Sequence, residues 1–150
     1  MSRPNLFLDS SALVAGIISS QGAARVLLLL AETGQISITI SEQVVAEAER
    51  AVARKAAHAL PDLRQAIQAT RAQIVRDPSP DEVKSNLNLI THPADVPILL
   101  AAMKARVDFL VTMNRRHFLD DPQVGQQTGL RIGTPGDALN WLRGQLSAAR

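Results

Sequence analysis

Residues 109–113, Phe109-Leu110-Val111-Thr112-Met113, form a short apolar run that follows directly on a helical pattern. In that helix Ile98, Leu99, Ala101, Ala102 and Val107 fill the apolar positions, and Asp95 stands where it should begin. A run of this kind reads as a fully buried strand with Asn114 at its carboxyl end. If the strand belongs to a parallel sheet, its carboxyl end is where such folds place ligands and chemistry.

The rest of the chain repeats the alternation. Asn5 to Leu8 reads as a buried strand closed by Asp9, and Ser10-Ser11 leads into a helix or turn through Val14 to Ile18. Gly22 opens a helix to about Glu32, stopped by Gly34. Ile36 to Ile40 is a strand, and Ser41 is an N-cap candidate for a helix from Glu42 to about His58. Pro61 opens another helix, with Leu63, Ile67 and Ile74 spaced for one apolar face, and Ile74-Val75 begins a marginal third strand. Residues 77–80 are a loop, and Pro80 starts a short helix. Leu130 to Ile132 is the last strand. A closing helix follows Thr134-Pro135-Gly136 and carries Ala138, Leu139, Trp141, Leu142 and Leu146. Strands alternating with helices predict an α/β fold with a mostly parallel central sheet and helices on both faces, in one domain spanning 1–150.

Composition narrows the chemistry. With no cysteine, disulfides, thiolate zinc sites and cysteine nucleophiles are excluded. Aromatics are 3% of residues, so the core must be built from Leu, Ile, Val and Ala. The apolar runs before Asp9 and at Val26–Ala31 are too short for a signal peptide or a membrane span, and the lack of cysteine fits a cytoplasmic protein. The net charge is +2 and the pI about 9.7, which permits an anionic partner without demanding one. Arg50, Arg54, Lys55, Arg64, Arg71 and Arg76 read as solvated helix faces before they read as a nucleic-acid patch.

Four polar residues fall near carboxyl ends of expected strands: Asp9, Glu47, Asp95 and Asn114. Glu47 shares a helix face with Val44 and Ala51, which angles its carboxylate toward the protein body, where an unpaired charge is expensive. A hard divalent cation would offset that cost. Each residue also has an ordinary reading. Asp95 is a good N-cap with Pro97 tolerated in the first turn, and Asp9 can be a turn or cap residue. Glu47 can pair with Arg50, and Asn114 can be a turn residue. The balance shifts because all four occur at one end of the expected sheet. His58, His92 and His117 have no metal-ligand spacing and read as surface or hydrogen-bonded residues, and Trp141 reads as core or interface.

Five segments in order resemble the PIN domain family: Leu6-Phe7-Leu8-Asp9-Ser10-Ser11, Ser41-Glu42-Gln43-Val44-Val45-Ala46-Glu47, Asp95-Val96-Pro97-Ile98-Leu99-Leu100-Ala101-Ala102, Val111-Thr112-Met113-Asn114-Arg115-Arg116-His117-Phe118 and Thr134-Pro135. The resemblance implies a three-layer α/β/α fold and a metal-dependent ribonuclease, and many small members are VapC-like toxins held inactive by an antitoxin. It makes Asp9, Glu47 and Asp95 the acidic site residues, binding Mg²⁺ or Mn²⁺, with Ser11 a supporting polar residue. Asn114 departs from the pattern, where many members have Asp; an amide adds no negative charge and weakens any second metal site. Arg115 and Arg116 can touch RNA phosphates or lie in a solvated loop. A homodimer is a family habit. A non-catalytic module that binds RNA or protein is the alternative that Asn114 motivates. A receiver-like or phosphatase domain lacks its Asp-x-Asp at residue 9, and no phosphate-cradling loop supports an NTPase.

Overall fold

Leu6, Phe7 and Leu8 are buried in β1 (Asn5–Leu8), the middle strand of the sheet. A strand covered on both faces cannot alternate polar with apolar, and this continuous run meets that demand. The computed structural model describes residues 3–148; the side chains of Arg115, Pro122, Gln123, Leu146 and Ala148 lie outside the described set. Around β1 the sheet runs β3-β2-β1-β4-β5, with β2 (Ser37–Ser41), β3 (Gln73–Val75), β4 (Phe109–Val111) and β5 (Ile132–Gly133). Every pairing is parallel, and Leu6 stands opposite Ile38 on one side and Phe109 on the other.

Parallel neighbours need crossover connections, and helices supply them. α1 (Ser10–Ile18) and α2 (Ala23–Glu32) join β1 to β2, and α3 (Glu42–Lys55) and α4 (Leu60–Ala69) join β2 to β3. α5 (Pro80–Lys84) and α6 (Val96–Lys104) join β3 to β4, α7 (Pro122–Thr128) joins β4 to β5, and α8 (Pro135–Ala148) closes the fold. The chain steps outward from β1 to β3, then returns across the sheet to β4 and β5. Right-handed crossovers therefore place the helices of the two halves on opposite faces. α1 packs on α2, α3 and α4, and α8 joins that layer through α2; α5 packs on α6 in the other. The expected α/β/α sandwich is the fold observed. Strand order reverses between β1 and β4, which makes their carboxyl ends the topological switch point.

The differences from expectation are local and have physical causes. β4 ends at Val111 rather than Met113, and Met113 is 51% exposed instead of buried. The ladder stops because the N–H of Met113 turns to Ser11 Oγ and that of Asn114 to Thr112 Oγ1. The helix from Glu42 ends at Lys55, where Ala56 leaves helical geometry, and residues 57–59 make a separate turn. Ile74 belongs to edge strand β3 and is half exposed, so it is not part of the apolar face of α4. The last strand covers 132–133 rather than 130–132. Among the described residues no single helix is long and apolar enough to cross a membrane.

Candidate active site

Asp9 is fixed at the switch point by its own backbone, whose N–H donates to Val111 O at 3.1 Å. Its side chain caps α1: Oδ1 accepts from Ala12 N–H at 2.9 Å and from the Ser11 hydroxyl at 2.6 Å. Oδ2 accepts from the Thr112 hydroxyl just beyond β4. Ser11 Oγ in turn accepts from Met113 N–H at 2.9 Å, so Ser11 and Thr112 tie the ends of β1 and β4 together around one carboxylate. Asp9 is 4% exposed. Burial pushes its pKa above the ordinary 3.8; the bonds from Ser11, Thr112 and Ala12 pull it back, and the negative charge of Asp95 raises it further. That last influence places the two carboxylates within electrostatic reach of each other.

Asp95 ends a short turn, Pro93–Asp95, and immediately precedes α6. It occupies the N-cap position, yet its side chain makes no capping bond, which corrects the expectation that it caps the helix. Its Oδ2 lies 2.8 Å from His117 Nδ1 instead. The His117 ring stacks on His92 with centroids 3.6 Å apart and planes 21° apart. His117 is carried by a wide turn, Arg115–Leu119, whose start is fixed by Asn114: Oδ1 accepts from His117 N–H at 3.0 Å.

Glu47 sits half-buried in the second turn of α3, and its Oε1 accepts from Gln43 Nε2 at 2.9 Å rather than pairing with Arg50. The start of α3 is anchored by the Ser41 cap and by Gln43 N–H on Asp77 Oδ1 at 2.9 Å. Among the described residues no three His, Asp or Glu side chains stand close enough to share an ion. The structure thus brings Ser11 onto Asp9, sets Asp95 against His117 with its charge still felt at Asp9, directs Asn114 to the backbone, and keeps Glu47 on the neighbouring helix. Arg116 is exposed; the Arg115 side chain lies outside the described residues. The six basic residues of 50–76 are all exposed, as solvated faces require.

The donor set suits a hard cation. Asp9 and Asp95 offer carboxylate oxygens only, and Mg²⁺ is commonly held by one or two carboxylates with water completing its shell. A cation there would also offset the like-charge repulsion and the burial cost that raise the Asp9 pKa. From Ser10 and Ser11, next to Asp9 in the chain, runs a groove of about 570 Å³, lined also by Val14, Ala51, Lys55 and Met113. A hollow of similar size at Arg25, Glu32 and Asp62 lies apart from the Asp9–Asp95 pair.

Two residues that bond the acids of the candidate site leave little trace in the sequence. Thr112 looked like one more strand residue, although a hydroxyl in an apolar run is a signal that something polar faces it. His117 reads from sequence as a surface or hydrogen-bonded residue, and its partner, 22 residues away, leaves no mark in spacing.

Residues 5–116 match the sequence pattern of the PIN domain. No curated protein matches this sequence. Several solved structures share the fold. PAE2754 from Pyrobaculum aerophilum is 20% identical, with a TM-score of 0.65 over 94% of this chain and 90% of its own. VapBC2 from Rickettsia felis, solved bound to a DNA fragment from its promoter, is 20% identical, with a TM-score of 0.58 over 87% and 98%. VapC20 from Mycobacterium tuberculosis, a toxin that cleaves the sarcin-ricin loop, is 13% identical, with a TM-score of 0.54 over 74% and 91%.

Proposed function

The chain belongs to the PIN domain family, and from that premise we propose that it is a metal-dependent endoribonuclease, the toxin of a toxin–antitoxin pair. The observation that supports this reading is the buried Asp9 carboxylate at the sheet's switch point, near enough to Asp95 for that charge to raise its pKa. PIN nucleases generally use divalent ions, and Mg²⁺ or Mn²⁺ fits this donor set. Asp9 and Asp95 would hold the ion, and Glu47 would reach it through a water. When bound, the ion supplies Lewis-acid chemistry, offsetting charge on the scissile phosphate and making water a better nucleophile. The protein's own part is positional. Ser11, Thr112 and the Ala12 N–H fix both oxygens of Asp9, so the carboxylate needs no rearrangement when substrate arrives. Arg115 and Arg116 follow Asn114 in sequence and are suited to phosphate contacts.

The partners follow from the same reading: RNA as substrate, an antitoxin occupying the groove beside Ser11 and Met113, and a second copy in a homodimer, all in the cytoplasm. Solved structures that share the fold include VapBC2 and FitAcB from Neisseria gonorrhoeae.

One observation favours a second reading, a catalytically weak RNA- or protein-binding module. Asn114 brings no charge, and its amide oxygen is spent on His117 N–H. Cleavage of total cellular RNA with Mn²⁺, comparing wild type with Asp95→Asn, separates the two. Cutting by wild type alone supports the nuclease; metal-independent RNA binding without cutting supports the module.

A further inference from the structure

The amide at position 114 acts on the backbone, and what it shapes is the approach of His117 to Asp95. Asn114 accepts His117 N–H on its side chain at 3.0 Å and Phe118 N–H on its carbonyl at 3.2 Å. Those bonds curl residues 115–119 into one wide turn, and Phe118, 3% exposed, seats the turn in the core. The imidazole is thereby returned to Asp95, with His92 stacked on its face.

We propose that His117 is a positioning residue of the cation site. It holds Asp95 by Oδ2, so that Oδ1 is the oxygen presented to the ion, and Asn114 serves the site by placing His117 rather than by binding the ion. This rests on the reading of Asp9 and Asp95 as cation ligands. Three features support it. An ionised carboxylate only accepts hydrogen bonds, so His117 Nδ1 carries the hydrogen and donates it. The side chains are 33% and 16% exposed, so solvent competes little for the Asp95 oxygen. Asp95 also forgoes the cap of α6 that its position offers, so His117 alone orients it among the bonds recorded for its side chain. A side chain one layer behind a metal ligand fixes ligand orientation, and losing it typically weakens binding about ten- to hundredfold.

Calorimetric titration of Mn²⁺ into metal-free protein tests this directly, on wild type, His117→Ala, His117→Asn and His92→Ala, with thermal unfolding of each. An Asn side chain can place an amide donor near the former Nδ1. The expected result is a Kd about ten- to hundredfold weaker in His117→Ala, with most of the loss recovered in His117→Asn. His92→Ala, which keeps the donor and frees the ring, should lie between Ala and wild type and serves if His117→Ala fails to fold. Unchanged Mn²⁺ affinity in His117→Ala, whatever its melting temperature, overturns the inference alone. Equal losses in the Ala and Asn variants overturn the donor role. A wild type that binds no Mn²⁺ overturns the cation-site reading and this inference with it.

Discussion

Thr112 donates its hydroxyl to Oδ2 of Asp9 across the seam between β1 and β4. The same hydroxyl oxygen accepts Asn114 N–H at 2.9 Å, so one side chain completes the carboxylate and ends the strand. Replacing it with valine preserves shape and removes both bonds. Thr112→Val is expected to lose about 1–3 kcal/mol, the cost of a buried acceptor left without a donor. Urea denaturation checks this; a loss below about 0.5 kcal/mol, the scale of a neutral surface change, would mean that water replaces the hydroxyl.

The raised Asp9 pKa makes a prediction about pH. The unfolded chain releases this proton near the ordinary 3.8, while the folded chain holds it to a higher pH. Between those two values the folded state binds more protons, so raising pH lowers stability, and the loss is complete above the folded value. In EDTA, the contribution of Asp9 to stability should therefore fall as pH rises from about 4 and then level off. Asp9→Asn should lack that decline, melt above wild type at neutral pH, and gain nothing from Mn²⁺. A lower melting temperature for the variant at pH 7 would show that the carboxylate's hydrogen bonds outweigh its burial.

The fold was legible because the strongest sequence signal and the strongest structural constraint coincide. A sheet covered on both faces requires runs such as Leu6-Phe7-Leu8 and Phe109-Leu110-Val111, and these runs carry the topology. Asp9 was legible for the same reason, since a charge that ends a buried strand stands out. The roles of Thr112 and His117 were not, because each depends on a partner far along the chain, 103 and 22 residues away. Hydrophobic period records which face is buried, and it carries nothing about which hydroxyl meets which carboxylate. The ordinary reading of Asp95 as a cap fails because N-cap preference is local, whereas the partner of its side chain arrives from a later turn.

Asp95→Asn separates charge from shape. The amide oxygen can still accept from His117 Nδ1–H, and no capping bond exists to be lost. Folding should be unaffected, with melting within about 2 °C of wild type, as for a substitution that breaks no buried contact. Mn²⁺-dependent RNA cleavage should fall by more than about a hundredfold, because even a residue behind the ligands costs ten- to hundredfold. Retained cleavage would remove Asp95 from the site.

Gly133 links the last strand to the seam. A Cβ built there would lie 2.8 Å from Asp137 Cβ, 3.0 Å from Asp137 Oδ2 and 3.0 Å from Phe109 Cζ. Asp137 is not free to yield. Its Oδ2 accepts Thr134 N–H at 2.9 Å while its own N–H donates to Thr134 Oγ1 at 3.1 Å, a reciprocal cap at the start of α8. The carbonyl of Gly133 also accepts Thr112 N–H at 2.9 Å. Gly133→Ala should therefore destabilise by about 1–3 kcal/mol, the usual range for overpacking, and disturb Thr112 and the Asp9 carboxylate behind it. Gly136→Ala is the control, because its nearest neighbour would be Thr134 Oγ1 at 3.7 Å, an ordinary contact. That variant should stay within about 0.5 kcal/mol of wild type. Paired urea melts and Mn²⁺ titrations decide the matter: weaker Mn²⁺ binding in Gly133→Ala but not in Gly136→Ala ties the edge of the sheet to the site. Equal Mn²⁺ binding in both would confine the role of Gly133 to packing.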